Sequence, residues 1–218
     1  MAEELYREWF VRMRFPGYQN TKFVKGLPEG WAQRKLGEVI TLNYGKALKA
    51  EDRVAGPYPV YGSGGIVGTH VKPLVDRPGL IVGRKGNVGS VYYSDRGFYP
   101  IDTAYYVEST LADSYLYHLL NSMNFINNDA AVPGLNRNQA YSNLLLLPQQ
   151  NLITAFEDIS GKLGIKTRKL RDSISLLNSL RESLLNRLVS GKLRVTALDI
   201  RIRDNDAAIS AEPELANA

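Results

Sequence analysis

The sequence predicts a mixed α/β protein, a β-rich globular domain followed by one long α-helix. Three observations carry this. Between about residues 31 and 148, Gly, Pro and Tyr punctuate short β-branched runs: "EVITLNYG", "PVYGSGGIVG", "GLIVGRKG", "SVYYS" and "AYYVES". That texture belongs to short strands joined by tight turns. From 151 to about 190 there is no Pro, and Phe156, Leu163, Leu170, Leu177 and Leu184 recur at strict sevens, which is a coiled-coil seam. The whole chain of 218 residues, 44% hydrophobic and 22% charged, suffices for one packed domain plus an extension.

Taken in order, residues 2–14 (AEELYREWFVRMR) form a helical pattern with Leu5, Trp9 and Phe10 on one side, and "FPGY" stops it, since Pro cannot continue a helix. Residues 1–26 therefore read as an N-terminal helix and linker, and 27–150 as the globular domain. Within that domain "LADSYLYHLLNSMNF" (111–125) switches to helical spacing at Leu116, Leu119, Leu120 and Met123. The rear helix, 151–195, has Leu152, Ile159 and Leu180 on its second row, broken by Lys166, Ser173 and Arg187. At 152–189 it would be roughly 57 Å long, and an isolated amphipathic helix of that length cannot cover its own apolar stripe. Gly191 and the basic residues of "SGKLRV" end it. The remainder, 196–218, reads as a disordered tail.

Composition excludes several classes. With Cys at 0 there are no disulfides and no thiolate metal sites, which fits a reducing compartment. The densest apolar run, "LLLLP" (144–148), is far too short for a membrane span, and the N-terminus lacks the apolar core of a signal peptide. A cytoplasmic location is the expectation. The net charge of +5 is uneven: residues 1–150 hold 16 basic against 13 acidic groups, 151–195 hold 9 against 4, and 196–218 hold 2 against 5. A positive body permits a polyanion partner.

Three polar loops stand out. "IVGRKGNVGS" (81–90) lacks the order of a Walker A loop, because its Lys precedes the later glycines and "VGSVYY" continues as a strand. It reads as a hairpin turn using Gly at positive φ, or as such a turn that also presents Arg84, Lys85 and Asn87 to a polyanion. "GLNRNQ" (134–139) is a solvated loop, or a base-edge and phosphate contact through Asn136, Arg137 and Asn138. "YGSGG" (61–65) is a tight turn, or a close approach of Tyr61 and Ser63 to a nucleic-acid backbone. The thirteen Tyr read as core and strand residues rather than as a stacking platform. His70 and His118 have no metal-ligand spacing; hydrolase elbows, nuclease acid clusters and the amino-methyltransferase motif are missing, so no catalytic or metal residue is assigned.

The order of these parts resembles one half of a Type I restriction–modification specificity subunit. "LPEGWAQRKLGEV" (27–39) is similar to the family's lead-in to a target recognition domain, and "YPVYGSGGIVGTH" (58–70) with "GLIVGRKGNVGSVYY" (79–93) to its Gly-punctuated strands. "GLNRNQAYSNLLLLPQQ" (134–150) is similar to the passage into a spacer helix, and "LRESLLNRLVSGKLRV" (180–195) to the end of that helix. "LYREWFVRMRFPGY" looks like the join between a first spacer and a second recognition domain. Full-length members carry two recognition domains and two antiparallel spacers, so this chain is a half-subunit that dimerises or a truncated product. The resemblance implies a non-catalytic subunit that binds double-stranded DNA, and the local chemistry of the loops, rather than the resemblance, points to Arg84, Lys85, Asn87, Asn136, Arg137 and Asn138 as its contacts, with Tyr61 and Ser63 behind them. The heptad stripe calls for a second copy, paired through Phe156, Ile159, Leu163, Leu170, Leu177, Leu180 and Leu184, and the resemblance implies that the resulting coiled coil is antiparallel. A spacer of roughly 57 Å corresponds to no more than about 17 bp. Methyltransferase and restriction subunits would be the further partners, carrying S-adenosylmethionine, ATP and Mg²⁺; no cofactor is expected on this chain. Two other readings compete: a coiled-coil adaptor whose head binds a partner other than nucleic acid, and a nuclease fused to its own recognition domain.

Overall fold

The structure, a computed structural model, describes residues 1–123, 125 and 134–192. The segment read as a disordered tail, 196–218, lies outside the described residues. The chain divides into two compact units, one of residues 1–165 and one beginning at Lys166.

Helix α1 (Ala2–Tyr6) runs directly into a π-helical turn, Arg7–Val11, where the Arg12 N–H donates to the Arg7 carbonyl five residues back at 2.8 Å. The wider turn brings Tyr6, Trp9 and Phe10 all inward. Sequence periodicity at 3.6 residues places Leu5 there instead of Tyr6; Leu5 is only partly buried. A small hairpin of β1 (Phe23–Val24) and β2 (Leu27–Pro28) follows, its turn using positive φ at Lys25 and Gly26, the geometry that matches strand twist.

Nine further strands fill the region the turn pattern predicts. They are β3 (Ala32–Lys35), β4 (Ile40–Tyr44), β5 (Tyr58–Gly62), β6 (Gly65–His70), β7 (Gly79–Gly83), β8 (Val91–Ser94), β9 (Tyr99–Pro100), β10 (Ala104–Ser109) and β11 (Leu144–Leu147). The central antiparallel sheet has the order β4-β10-β7-β8, and a second sheet the order β6-β5-β9, with β5 and β9 parallel. Every residue of β7 is buried, because both of its faces are covered. Leu80 and Val82 face the main core with Leu42, Tyr105 and Val107, while Ile81 faces a smaller cluster of Tyr61, Phe98 and Ala104. The period-two alternation of a strand makes that division possible. "LLLL" is strand β11, paired with β3 through Leu145↔Arg34 and Leu147↔Ala32.

Helix α2 (Asp113–Ser122) buries Tyr115, Leu116, Leu119 and Leu120. Its N-cap, Ala112, has no side chain able to cap. The carboxyl of Glu157, on the long helix, lies near the Ser114 and Tyr115 N–H groups instead, and Ser114 Oγ hydrogen-bonds Ser160 Oγ. Burial at this junction pushes the Glu157 carboxyl above its usual value. The short helix α3 (Arg137–Ser142) precedes β11.

The last element is α4, Gln150–Val189, a single helix of 40 residues followed by Gly191 at φ +69°, as the seam and its Gly stop predict. Its first turns belong to the head. Ile153, Phe156 and Ser160 are buried there, a spacing of three and four that lays one face on the core. Phe156 corrects the sequence reading: it was placed on the pairing seam, but it is 0% exposed. Its ring meets Phe10 edge-on at 5.3 Å, Trp9 at 6.1 Å and Tyr6 at 6.1 Å, so the head's own aromatics already cover it. In the second unit the seam leucines are exposed, Leu170 at 56% and Leu177 at 62%, with Leu180 and Leu184 also open; Ile159, within the head, is exposed too. Leu163 is half-buried. No helix among the described residues is long and apolar enough to cross a membrane.

Candidate nucleic-acid interface

Three loops that lie far apart in sequence meet along one rim of the head. Two are hairpin turns: Ser63–Gly64, between β5 and β6, and Arg84–Ser90, between β7 and β8. The third is the approach to α3, Gly134–Asn136. Thr103, at the start of β10, fastens them. Its carbonyl accepts from the N–H groups of Arg84 (2.9 Å) and Lys85 (3.2 Å), and its Oγ1 accepts from the Ser63 N–H at 3.3 Å. The Leu135 N–H donates to the Arg84 carbonyl at 2.7 Å, and Lys85 and Gly134 form an antiparallel bridge. The Ser63 carbonyl accepts from Ser90 Oγ at 2.6 Å. Buried loop backbone must find partners, and here the loops supply them to one another.

The glycines of "IVGRKGNVGS" now have separate reasons. Gly86 and Gly89 sit at φ +79° and +76°, where a side chain would be strained. At Gly83 an added Cβ would lie 2.1 Å from the Asn87 carbonyl oxygen, so the tight approach of the turn to its own strand requires Gly. Strands on both sides, paired as Val82↔Val91 and Ile81↔Tyr92, make this a hairpin rather than a phosphate loop feeding a helix.

On this rim Arg84 and Arg137 come together although 53 positions separate them. The Arg84 guanidinium lies 4.9 Å from the centre of the Tyr44 ring and that of Arg137 5.3 Å from it. Arg84 also lies over Tyr105 at 5.8 Å and donates to the Asp102 carbonyl at 3.1 Å. Tyr105 donates its hydroxyl to the Leu135 carbonyl at 3.1 Å, and burial pushes its pKa up, so it remains a donor. Arg7, Arg12, Arg34, Arg77 and Arg96 spend their charge on carboxylates; Arg84 and Arg137 lie against rings instead.

The other sequence candidates divide. Lys85, Asn87 and Asn138 are exposed on the rim. The Asn87 amide nitrogen lies beside Gly64, where a Cβ would come within 3.3 Å of it. Asn136 is a helix cap: its Oδ1 accepts from the N–H groups of Asn138 (2.9 Å) and Gln139 (3.4 Å), which leaves its amide nitrogen for an outside partner. The backbone of Ser63 is committed to the loop junction. Tyr61 is corrected: at 5% exposure it packs under the rim with Phe98 and Ile81, burial pushes its hydroxyl upward in pKa, and it offers nothing to a surface ligand. Sequence reasoning missed Tyr44 and Thr103. Tyr44 was legible as an aromatic ending the alternating run "EVITLNYG"; nothing local marks Thr103.

Side chains held on loops that a sheet fixes in place are the arrangement of a recognition module. Residues 28–143, just over half of the chain, match the family described as the Type I restriction modification DNA specificity domain, and the chain belongs to that family. Its fold is similar to the crystal structure of the Type-I restriction-modification system S subunit from M. genitalium, with a TM-score of 0.62, 19% identity, and coverage of 86% of this chain and 52% of that one. It is also similar to a chain from a structural study of complex assembly and conformational transition of the type I R-M system, with a TM-score of 0.51, 14% identity, and coverage of 85% and 52%. The chain thus spans about half the length of these solved structures. A comparison with curated proteins found no match.

Proposed function

We propose that this chain is a sequence-specific DNA-binding specificity subunit of a Type I restriction–modification system, and that two copies paired through α4 read a bipartite target. The observation that carries the DNA reading is the convergence of Arg84, Lys85 and Arg137 on one rim fastened at Thr103. Phosphate contacts supply most of the affinity of such a surface, and a few base-edge contacts supply its discrimination. Pairing rests on the exposed row Leu170, Leu177, Leu180 and Leu184, which a second α4 running antiparallel covers. A two-fold pair then reads one half-site twice, in inverted orientation. The methyltransferase and restriction subunits, with their S-adenosylmethionine, Mg²⁺ and ATP, are the partners positioned by this frame.

The test is duplex binding across a salt series. Affinity falls linearly on logarithmic axes, and Arg84→Ala or Lys85→Ala reduces the slope by about one if the residue contacts phosphate. Binding that ignores salt overturns the DNA reading and leaves the adaptor.

A further inference from the structure

Tyr44 closes strand β4 and is 48% exposed. Its ring rests on the buried ring of Tyr105, centroids 5.0 Å apart, which in turn is pinned to the Leu135 carbonyl. The support beneath Tyr44 is therefore core, not loop. Two guanidinium groups lie over the same half-open ring, and each is tethered by its own segment. Arg84 is held at the backbone by Thr103 and at one terminal nitrogen by the Asp102 carbonyl. Arg137 is the first residue of α3, behind the Asn136 cap.

An unrestrained arginine loses much rotamer freedom when it binds, and a planar guanidinium held against a ring loses less. A guanidinium above a ring also keeps N–H groups for paired hydrogen bonds with an outside acceptor, and Arg84 spends only one terminal nitrogen on the Asp102 carbonyl.

We propose that Tyr44 is a positioning residue for target recognition, presetting Arg84 and Arg137 as two guanidinium forks aimed at paired acceptors on DNA. Such acceptors are the O6 and N7 of guanine in the major groove or two oxygens of one phosphate. The inference rests on the DNA reading above and deepens it, because it assigns the geometry of the contact to a residue that need not touch DNA.

The experiment uses the full chain. Bound duplexes are first selected from a pool with a randomised centre, and the selected and an unselected duplex are then titrated with wild type, Tyr44→Phe, Tyr44→Leu and Arg84→Ala. Tyr44→Leu should weaken binding about tenfold, the equivalent of losing two exposed cation–π contacts, and Tyr44→Phe should stay within about threefold. The salt slope should be unchanged in both, because no charge is removed, and it should fall in Arg84→Ala only if that residue meets phosphate. Loss confined to the selected duplex, at a G·C position, assigns the pair to guanine; equal loss on both duplexes assigns it to phosphate. Tyr44→Leu binding like wild type while Arg84→Ala fails would overturn the inference and leave DNA recognition standing, as would Tyr44→Phe failing as badly as Tyr44→Leu. A wild type that retains no duplex removes the recognition reading and this inference with it.

Discussion

Replacing Phe156 by Ala separates two roles that the heptad pattern superimposes. The ring is fully buried and is met edge-on by Phe10 (5.3 Å, 76°), Trp9 (6.1 Å, 65°), Tyr6 (6.1 Å, 74°) and His118 (5.9 Å, 86°). Truncation of a buried Phe costs about 3–5 kcal/mol through lost transfer energy and an unfilled cavity. Edge-to-face pairs add about 0.5–1.5 kcal/mol each beyond burial, which places this site at the upper end. For a unit of residues 1–165, each kcal/mol moves the midpoint by about 2–4 °C, so the variant should melt about 10 °C or more below wild type. Near-ultraviolet circular dichroism during heating follows the aromatic cluster directly, and light scattering at low temperature reports the mass. The expected pair of results is a large drop in midpoint with the mass unchanged. A midpoint within about 2 °C of wild type, or a halved mass with an unchanged midpoint, would refute the assignment of Phe156 to the head and return it to the seam.

Replacing Leu170 and Leu177 together by Lys should do the reverse, halving the mass by light scattering while the head melts as before, since both leucines are exposed in the single chain; an unchanged mass counts against pairing through α4. Gly83→Ala should weaken the rim, because its Cβ falls 2.1 Å from a carbonyl oxygen and overpacking costs about 1–3 kcal/mol; hydrogen exchange at Ser90 and Gly89 should accelerate, and unaltered protection would mean that the turn absorbs the methyl. Burial lowers the pKa of His118 from its ordinary 6.5, so the unfolded chain binds the proton more readily and the stability contributed by neutral His118 is lost as pH falls below about 6.5. The melting midpoint of wild type should therefore drop relative to His118→Phe as pH falls from 7.5 to 5.5, whereas parallel curves would show that His118 does not titrate differently on folding.

Periodicity and turn chemistry made the architecture legible, and the failures have physical causes. The seam of sevens located α4 to within two residues at its start, but a heptad pattern does not say what covers it: Phe156 meets the head's core, and Leu177 meets no such core. The N-terminal helix was legible as a helix, yet its π-turn shifted Tyr6 inward, because an added residue per turn rotates everything before it. Tyr61 read as a loop-tip contact because "YGSGG" looks like an exposed turn; it lies two residues before the Ser63–Gly64 tip, next to a register shift in the pairing of β5 with β6, and is buried there. The thirteen Tyr read as core and strand residues, and Tyr6, Tyr61, Tyr105 and Tyr115 are, but Tyr44 is a strand residue that serves a surface cluster. Helix α3 was hidden inside a polar string because six residues are too few to show a period. The basic residues of the rim were legible singly. Their meeting was not, because Arg84 and Arg137 stand 53 positions apart and come together over the Tyr44 ring.

The way Thr103 ties the rim has an evolutionary corollary. The knots at Arg84, Lys85 and Leu135 are made between peptide groups, which every residue except proline possesses in full, and at Ser63 only the Thr103 end uses a side chain. Lys85, Asn87 and Asn138, all exposed, can therefore be exchanged for other side chains while the knots hold, so the outer face of the rim is free to vary one step at a time without rebuilding the scaffold beneath.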